Sequence, residues 1–310
     1  MDRLFNKVMT TDLIFCSTLF PGSETDSLLL AESIRHFGGT FANQPIWFLQ
    51  PQPDQPLSGA VAKRLRALDV RLLPFPYPKD APNFFFHKTL TGLAHGEALD
   101  AAETDCLVWM DSNTVVVNEP KELFLPEGVV LGYRPVQHLL VGSQYDKPLD
   151  PFWGEIYKTC NVPPERVFPM RLVVQDVDAR PYFNAGFMVL RPQSGLVQKW
   201  YNTFIDLFQS PAFLPFYEQD KRYEVFMHQA VLAGVVLSSF ERSQLRELPR
   251  GYNYPMDLHN IDHTTFRPGS MDEVVTFRHE GCFEAKDWRE HFPASNELIQ
   301  WIESKLQQVR

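Results

Sequence analysis

The chain has 310 residues, of which 44% are hydrophobic and 22% charged, as expected of one large folded domain or two small ones. Its net charge of -9 at pH 7 argues against a general nucleic-acid binder, because a phosphate backbone requires a basic protein face. No apolar run approaches the ~20 residues of a membrane-spanning helix, and the first residues, MDRLFNKVMTTD, lack the apolar core of a signal peptide.

Strand and helix patterns alternate through the first third of the chain, which predicts an α/β fold with a mostly parallel sheet flanked by helices. The turns between them contain neither GxGxxG nor GxxxxGK[ST], so a dinucleotide dehydrogenase and a P-loop enzyme are both disfavoured. Cys16 and Cys106 fall inside predicted core strands, which favours buried thiols and a cytoplasmic protein. The predicted elements are strand 12–18, helix 24–37, strand 45–49, helix 57–68, strand 70–74, helix 84–102, and strands 106–110 and 114–117.

The first candidate site is Asp111-Ser112-Asn113, directly after the buried strand 106–110. In open α/β sheets, ligands bind at the carboxyl ends of the strands. A carboxylate and a carboxamide two residues apart offer hard oxygen ligands, which suit Mg²⁺ or Mn²⁺. The alternative is an ordinary tight turn, because Asp and Asn both favour turns.

Two further stretches could contribute to the same sheet edge. Ser17 and Thr18 end the first strand, where they either line a pocket with Asp111 or are simply solvated in a loop. Lys88 lies near the start of a predicted helix, where backbone N–H groups favour anions, so it either holds a phosphate or is an exposed surface Lys.

The second half of the chain carries an amide before a strand and a His after one. Asn184-Ala185-Gly186 precedes the strand 187–190, and its small residues allow a ligand to approach the backbone, although a simple bulge is the alternative. His279 follows the strand 274–277 and could complete a metal shell, with His259 and His263 as rivals. The remaining predicted elements are a strand near 129–133, an irregular segment 134–168 with a short helix in FWGEIYKTC, helices 194–208 and 218–233, a strand in VVLSSF, and helix 294–309.

Several stretches, in this order, resemble the GT-A fold glycosyltransferases, especially the glycogenin-like and galactosyltransferase-like family 8. VWMDSNTVVVNEP resembles their strand–DxD–strand, PYFNAGFMVLRP their FNAG strand, and FMHQAVLAGVV a helix that opens with an acidic residue and Gln. HEGCFEAKDW resembles their terminal HxxGxxKPW, and FHKTLTGLAHGE is similar to their Lys-bearing helix before the DxD. The resemblance implies a single GT-A domain, with a nucleotide-binding half at about 12–120 and an acceptor-side half at about 121–310 that ends in a helix.

In such enzymes the DxD side chains and the late His bind Mn²⁺, which bridges the diphosphate of the donor. The resemblance therefore implies Asp111, Asn113 and His279 as ligands of Mn²⁺ or Mg²⁺. It also implies a nucleotide-diphosphate sugar as donor, a UDP-sugar first of all, and an acceptor that it does not identify. The other implied residues are Lys88 and Lys286 on phosphates, Asn184 and Gln229 as catalytic groups beside the sugar, Ser17 and Thr18 beside the nucleotide, and Ala185 and Gly186 beside the donor.

The chain departs from the family pattern in ways that bear on catalysis. Asn113 replaces the second Asp of DxD, which removes one negative charge and should lower the affinity for Mn²⁺. Asp287 replaces a Pro, one extra residue separates His279 from Lys286, and His228, otherwise typical of a core residue, stands where an acidic residue is common. We expect a metal-assisted hexosyltransferase, with two alternatives: a catalytically degenerate nucleotide-sugar-binding protein, and a metal-dependent phosphoester hydrolase.

Overall fold

The central feature of the computed structural model, which describes residues 11–52, 57–81, 84–100 and 104–308, is a seven-stranded sheet with helices on both faces. The strands are β1 (Thr11–Thr18), β2 (Ile46–Gln52), β3 (Val70–Pro76), β4 (Thr104–Met110), β5 (Thr114–Val116), β6 (Leu131–Pro135), β7 (Met170–Arg171), β8 (Asp178–Ala179), β9 (Phe183–Leu190), β10 (Leu245–Glu247), β11 (Tyr254–Pro255) and β12 (Thr276–Arg278). The helices are α1 (Glu24–Phe37), α2 (Gly59–Ala67), α3 (His87–Asp100), α4 (Pro151–Thr159), α5 (Leu196–Phe208), α6 (Leu214–Gln219), α7 (Lys221–Ser239), α8 (Trp288–His291) and α9 (Asn296–Gln307).

The strands of the large sheet follow the order β10-β6-β9-β4-β1-β2-β3. β1 is parallel to β2 and β4, and β3 continues the parallel run beside β2. β9 is antiparallel to both β4 and β6, so its amino-terminal end lies beside the carboxyl end of β4. The predicted α/β fold with a mostly parallel sheet is confirmed, and the reversed β9 brings residues 184–186 next to Asp111.

Strand β1 shows why its sequence is an unbroken apolar run. Ile14 and Cys16 pack in the core under α3, α5 and α7, whereas Leu13 and Phe15 pack in the core under α1 and α2. Alternate residues of a strand point to opposite faces, so a strand covered on both sides is apolar throughout.

A second, three-stranded sheet brings the end of the chain to the same edge. It has the order β11-β12-β5, and Arg278 on β12 lies opposite Thr114 on β5. Phe277 and Val115 pack in a third core with residues of α8 and α9. Because the His279 N–H donates to the Asn113 carbonyl at 3.0 Å, the late His is fixed beside the Asp111–Asn113 turn.

Two predictions of secondary structure are wrong. VVLSSF was expected to be a strand, but residues 235–239 continue α7, which is buried and packs on α5 and β9. Here tertiary packing overrides the β propensity of two adjacent valines. Asn184, Ala185 and Gly186 were expected to precede a strand, but they lie within β9, which begins at Phe183 because it pairs with β6 from Pro135 onwards.

The predicted ends of two helices, at residues 101–102 and 309, lie outside the described residues. Within the described ranges, no helix has both the length and the apolar character needed to cross a bilayer.

Candidate functional site

A cavity of about 280 Å³ opens at the carboxyl end of β4, beside β9, α7 and the segment that follows β11. This volume lies just below the range of small-molecule sites, roughly 300–1,000 Å³. The position agrees with the edge at which α/β sheets bind ligands. The residues that sequence reasoning predicted and that line the cavity are Asp111, Asn184, Ala185, Gly186 and Gln229.

The charge of Asp111 is balanced by Arg278. The backbone N–H of Asp111 donates to the Gly186 carbonyl at 2.9 Å, which fixes the turn after β4. Its Oδ2 lies 3.3 Å from Nη2 of Arg278, and Arg278 also forms an ion pair with Glu280. Desolvation raises the pKa of Asp111 above its usual value; the Arg278 charge offsets only part of this rise, and the Glu280 charge adds to it. Arg278 therefore favours the ionised form of this partly buried carboxyl.

Gly186 provides the space for this ion pair. A Cβ atom at Gly186 would lie 2.5 Å from Oδ2 of Asp111 and 2.9 Å from Nη1 of Arg278. Asn184 holds the same backbone segment, because its Oδ1 accepts a hydrogen bond from the Gly186 N–H at 2.8 Å. Its Nδ2 donates to Oε1 of Gln137 at 2.9 Å. Asn184 is therefore a buried linker between β9 and the segment after β6.

Helix α7 contributes Gln229 and His228 to the cavity wall. Gln229 Oε1 accepts a hydrogen bond from the Ala185 N–H at 3.0 Å, which ties the helix to β9. His228 has its Nδ1 3.0 Å from the Val225 carbonyl, and its ring stacks on Phe86 with 4.3 Å between centroids. Burial lowers the pKa of His228 to about 3, so the ring is neutral near pH 7. His228 is therefore buried, as expected of a core residue, although it also lines the cavity.

His279, directly after β12, does not line the cavity, although its neighbours in the sequence do. Arg278 and Glu280 line the cavity. The intervening His279 is buried, and its Nε2 lies 3.6 Å from Oδ1 of Asp26 at the start of α1. Burial, with a smaller effect of the nearby Arg278 charge, lowers the pKa of His279 to about 3. The Gly281 N–H donates to Nδ1 at 3.3 Å, so the neutral ring carries its proton on Nε2, towards Asp26.

The three predicted metal ligands do not fit a divalent cation in this arrangement. Asn113 Oδ1 is buried without a hydrogen-bond partner, which would suit a ligand. His279 Nε2 is likewise buried without a hydrogen-bond partner in the described part of the chain, but it faces Asp26 at 3.6 Å and does not line the cavity, and Asp111 is already paired with Arg278. Among the described residues, no group of three or more His, Cys, Asp and Glu side chains could hold a metal ion.

Ser17, Thr18 and Lys88, the donor-binding residues expected from the resemblance, lie outside the described cavity wall. Ser17 and Thr18 end β1 and are buried, and Ser17 Oγ has no hydrogen-bond partner in the described part of the chain. Lys88, in the first turn of α3, has its Nζ 5.5 Å from the ring centroid of Phe20 and 5.2 Å from that of Tyr77. The Lys88 ammonium group thus lies near two aromatic rings, those of Phe20 and Tyr77.

Lys286 is exposed in the turn before α8, and neither it nor Lys88 belongs to the described cavity wall. Their phosphate-binding roles therefore stay predictions. His259, a rival of His279, is buried with its Nδ1 3.1 Å from the Tyr254 hydroxyl.

Sequence reasoning missed the charged residues of the cavity wall that flank His279. Arg278 and Glu280 line the cavity, together with Asp257 and Gln137. The signal was present for Arg278, since it follows the apolar Phe277 in β12 and adjacent strand residues point to opposite faces. Glu280 lies beyond the strand, Asp257 lies in a short 3-10 helix and Gln137 in an irregular segment, where no strand periodicity indicates the direction of a side chain.

Comparison with known proteins gives a family and a fold. Residues 21–239 match the model of a family described as the Rhodobacterales glycosyltransferase domain. A search of curated proteins gives no match.

Solved structures with similar folds are glycosyltransferases. Bifunctional WbbM, in its apo form, has a TM-score of 0.53 and 15% identity over 98% of this chain and 53% of its own. Galactosyltransferase LgtC, in complex with donor and acceptor sugar analogs, has a TM-score of 0.50 and 14% identity over 94% of this chain and 99% of its own. GlyE of Streptococcus pneumoniae TIGR4 has a TM-score of 0.50 and 12% identity over 96% of this chain and 63% of its own. The chain thus spans about half of the WbbM chain, and these similarities show the GT-A fold.

Proposed function

Because the chain belongs to the family of Rhodobacterales glycosyltransferase domains, we propose that it transfers a sugar from a nucleotide-diphosphate sugar and binds this donor at the Asp111 cavity. The observation that supports the proposal most strongly is the convergence of Asp111, Gly186 and Gln229 on one cavity. These residues come from separate parts of the chain, and each lies in a stretch that resembles a donor-site motif.

In the proposed reaction, the bond between the sugar C1 and the donor diphosphate breaks, and the nucleoside diphosphate leaves with the bonding electrons. An acceptor hydroxyl oxygen forms the new bond to C1 and loses its proton. Gln229, whose Oε1 is held by the Ala185 N–H, can offer its NH₂ group to a sugar hydroxyl in the cavity. Gly186 allows the sugar to approach the backbone closely.

The proposed acceptor site is the outer part of the same cavity. Phe85 lines the cavity with 59% of its surface exposed, and Leu140 and Phe226 lie on the same wall. An aromatic face can cover the apolar face of a sugar ring, as aromatic side chains bury large apolar areas. We therefore place the acceptor against Phe85.

Two finer features stay proposals, namely the UDP form of the donor and the division into a nucleotide-binding half at 12–120 and an acceptor-side half at 121–310. The Mn²⁺ expected at Asp111, Asn113 and His279 is not part of the proposal, because Asp111 is paired with Arg278 and His279 does not line the cavity. The other predicted donor contacts, Ser17, Thr18, Lys88, Ala185 and Lys286, belong to the same proposal.

The test is a nucleotide-release assay with a panel of UDP- and GDP-sugars and simple sugar acceptors, with chelator and with added Mn²⁺. We expect release of one nucleoside diphosphate that depends on the sugar donor and increases with an acceptor. Binding without release would instead indicate a nucleotide-sugar-binding protein. Release of phosphate from simple phosphoesters would indicate a hydrolase, and no binding of any donor by folded protein would refute the proposal.

A further inference from the structure

We propose that Arg278 supplies the positive charge that holds the donor diphosphate beside Asp111, so that donor binding does not require a divalent cation. This inference rests on the proposed function, because it assumes that a nucleoside diphosphate enters the Asp111 cavity.

The position of Arg278 is the first observation. Its Nη2 lies 3.3 Å from Oδ2 of Asp111, the carboxylate that the sequence pattern assigns to a metal. Because Gly186 has no side chain, the guanidinium packs against its backbone: Nη1 lies 2.9 Å from the position that a Cβ atom of residue 186 would occupy. A divalent cation bound to Asp111 would therefore lie beside a fixed positive charge, which repels it.

The charge of the cavity wall is the second observation. Among the described residues that line the cavity, Arg278 is the one Lys or Arg, whereas Asp111, Asp257 and Glu280 are carboxylates. These charges leave the described wall net negative, so an anionic diphosphate that enters depends for attraction on the Arg278 guanidinium. Arg binds phosphate oxygens through a planar set of N–H donors, often two at a time.

The unused hydrogen-bonding capacity of Arg278 is the third observation. The same nitrogen, Nη2, forms the ion pairs with both Asp111 and Glu280. Nε is buried and has no hydrogen-bond partner within the described ranges. A buried N–H without a partner is unfavourable, so a ligand oxygen that reaches it gains binding energy.

Glu280 keeps Arg278 in place before the donor binds. Its side chain is 37% exposed, so it can move into solvent when a phosphate replaces it on the guanidinium. Glu280 also has a backbone φ of 43°, in the left-handed region that is unfavourable for a residue other than glycine. Such strain is often found in residues held at functional sites.

The experiment is calorimetric titration of the full chain with UDP and with GDP, in excess EDTA and in excess Mn²⁺. The variants are Arg278→Gln, which removes the charge, and Arg278→Lys, which keeps the charge but not the planar donors. The matched control is Arg289→Gln, because Arg289 forms an ion pair with Glu303 away from the cavity. Circular dichroism confirms that each variant is folded.

We expect wild type to bind one nucleotide equally well in EDTA and in Mn²⁺. Arg278→Gln should weaken binding about 10- to 100-fold, the loss expected for a charged hydrogen bond, with Arg278→Lys between the two and Arg289→Gln unchanged. If wild type requires Mn²⁺, or if a folded Arg278→Gln binds as well as wild type, the inference is wrong while the proposed function stands. If wild type binds neither nucleotide in either condition, both are wrong. Should Arg278→Gln not fold, the EDTA comparison on wild type and the Arg278→Lys titration still decide.

Discussion

Replacement of Gly186 by alanine tests whether the close packing of the Asp111–Arg278 pair is needed for activity. The new Cβ would lie 2.5 Å from Oδ2 of Asp111, although ordinary contact begins at 3.4 Å, so the carboxylate must move by about 0.9 Å. Misplacement of a reacting group by about 1 Å costs roughly 100-fold in rate. Overpacking of the folded state costs about 1–3 kcal/mol of stability. Because the φ of Gly186 is not positive, alanine can adopt this backbone conformation, and the lower entropy of the unfolded chain offsets about 0.4–1 kcal/mol of that cost.

We therefore expect Gly186→Ala to be destabilised by about 1–2 kcal/mol in urea unfolding and to lose transfer about 100-fold. The control is Gly132→Ala on the neighbouring strand β6, whose Cβ would meet Leu125 at 3.1 Å and Val189 at 3.2 Å, both apolar. This control should lose stability but keep activity. A Gly186→Ala protein with wild-type transfer would refute the reasoning, because the pair could then be displaced without consequence.

Further changes have equally specific outcomes. Asp111→Asn keeps the shape but releases Arg278 from its position, so transfer should fall about 100-fold with little change in Tm, as measured by nucleotide release and thermal unfolding; unchanged transfer would remove Asp111 from the site. Lys88→Gln should weaken UDP binding about tenfold, whereas Lys63→Gln on the exposed surface of α2 should not, and equal affinities would end the phosphate role of Lys88. His228 has a folded-state pKa of about 3, below its unfolded value of 6.5, so protonation favours the unfolded chain. The stability that depends on neutral His228 is complete above about pH 6.5 and is lost as the pH falls towards 3. Urea unfolding of His228→Asn should show a smaller slope than wild type over this interval, by up to about 1.4 kcal/mol per pH unit; identical slopes would contradict the assignment.

Local sequence patterns were sufficient to predict several of the helices and strands. Helix α1 has the predicted bounds, Glu24–Phe37, because its apolar spacing and the glycines after it are local features. The strand before Asp111 was also predicted, since a short buried run is visible in the sequence. The end of α7 was not, because burial between α5 and β9 decides its conformation, and no local pattern reports that burial.

In the candidate site, too, residues within recognisable local patterns could be predicted, whereas contacts between distant parts of the chain could not. Asp111 and Gly186 could be predicted because each lies in a short stretch with a recognisable neighbour pattern. The ion pair between Asp111 and Arg278 could not, since it joins residues far apart in the sequence and depends on the register of β12 against β5. His279 was predicted as a metal ligand, but it lies just past the end of β12 with its side chain towards Asp26, a direction that no local pattern indicates.

The most direct test of the account is a crystal structure of the protein soaked with UDP in the presence of EDTA. The account predicts density for the diphosphate in the Asp111 cavity, within hydrogen-bond distance of the Arg278 guanidinium and next to Gly186. Nucleotide bound on another face of the molecule, with the Arg278–Asp111–Glu280 pairing unchanged, would contradict it.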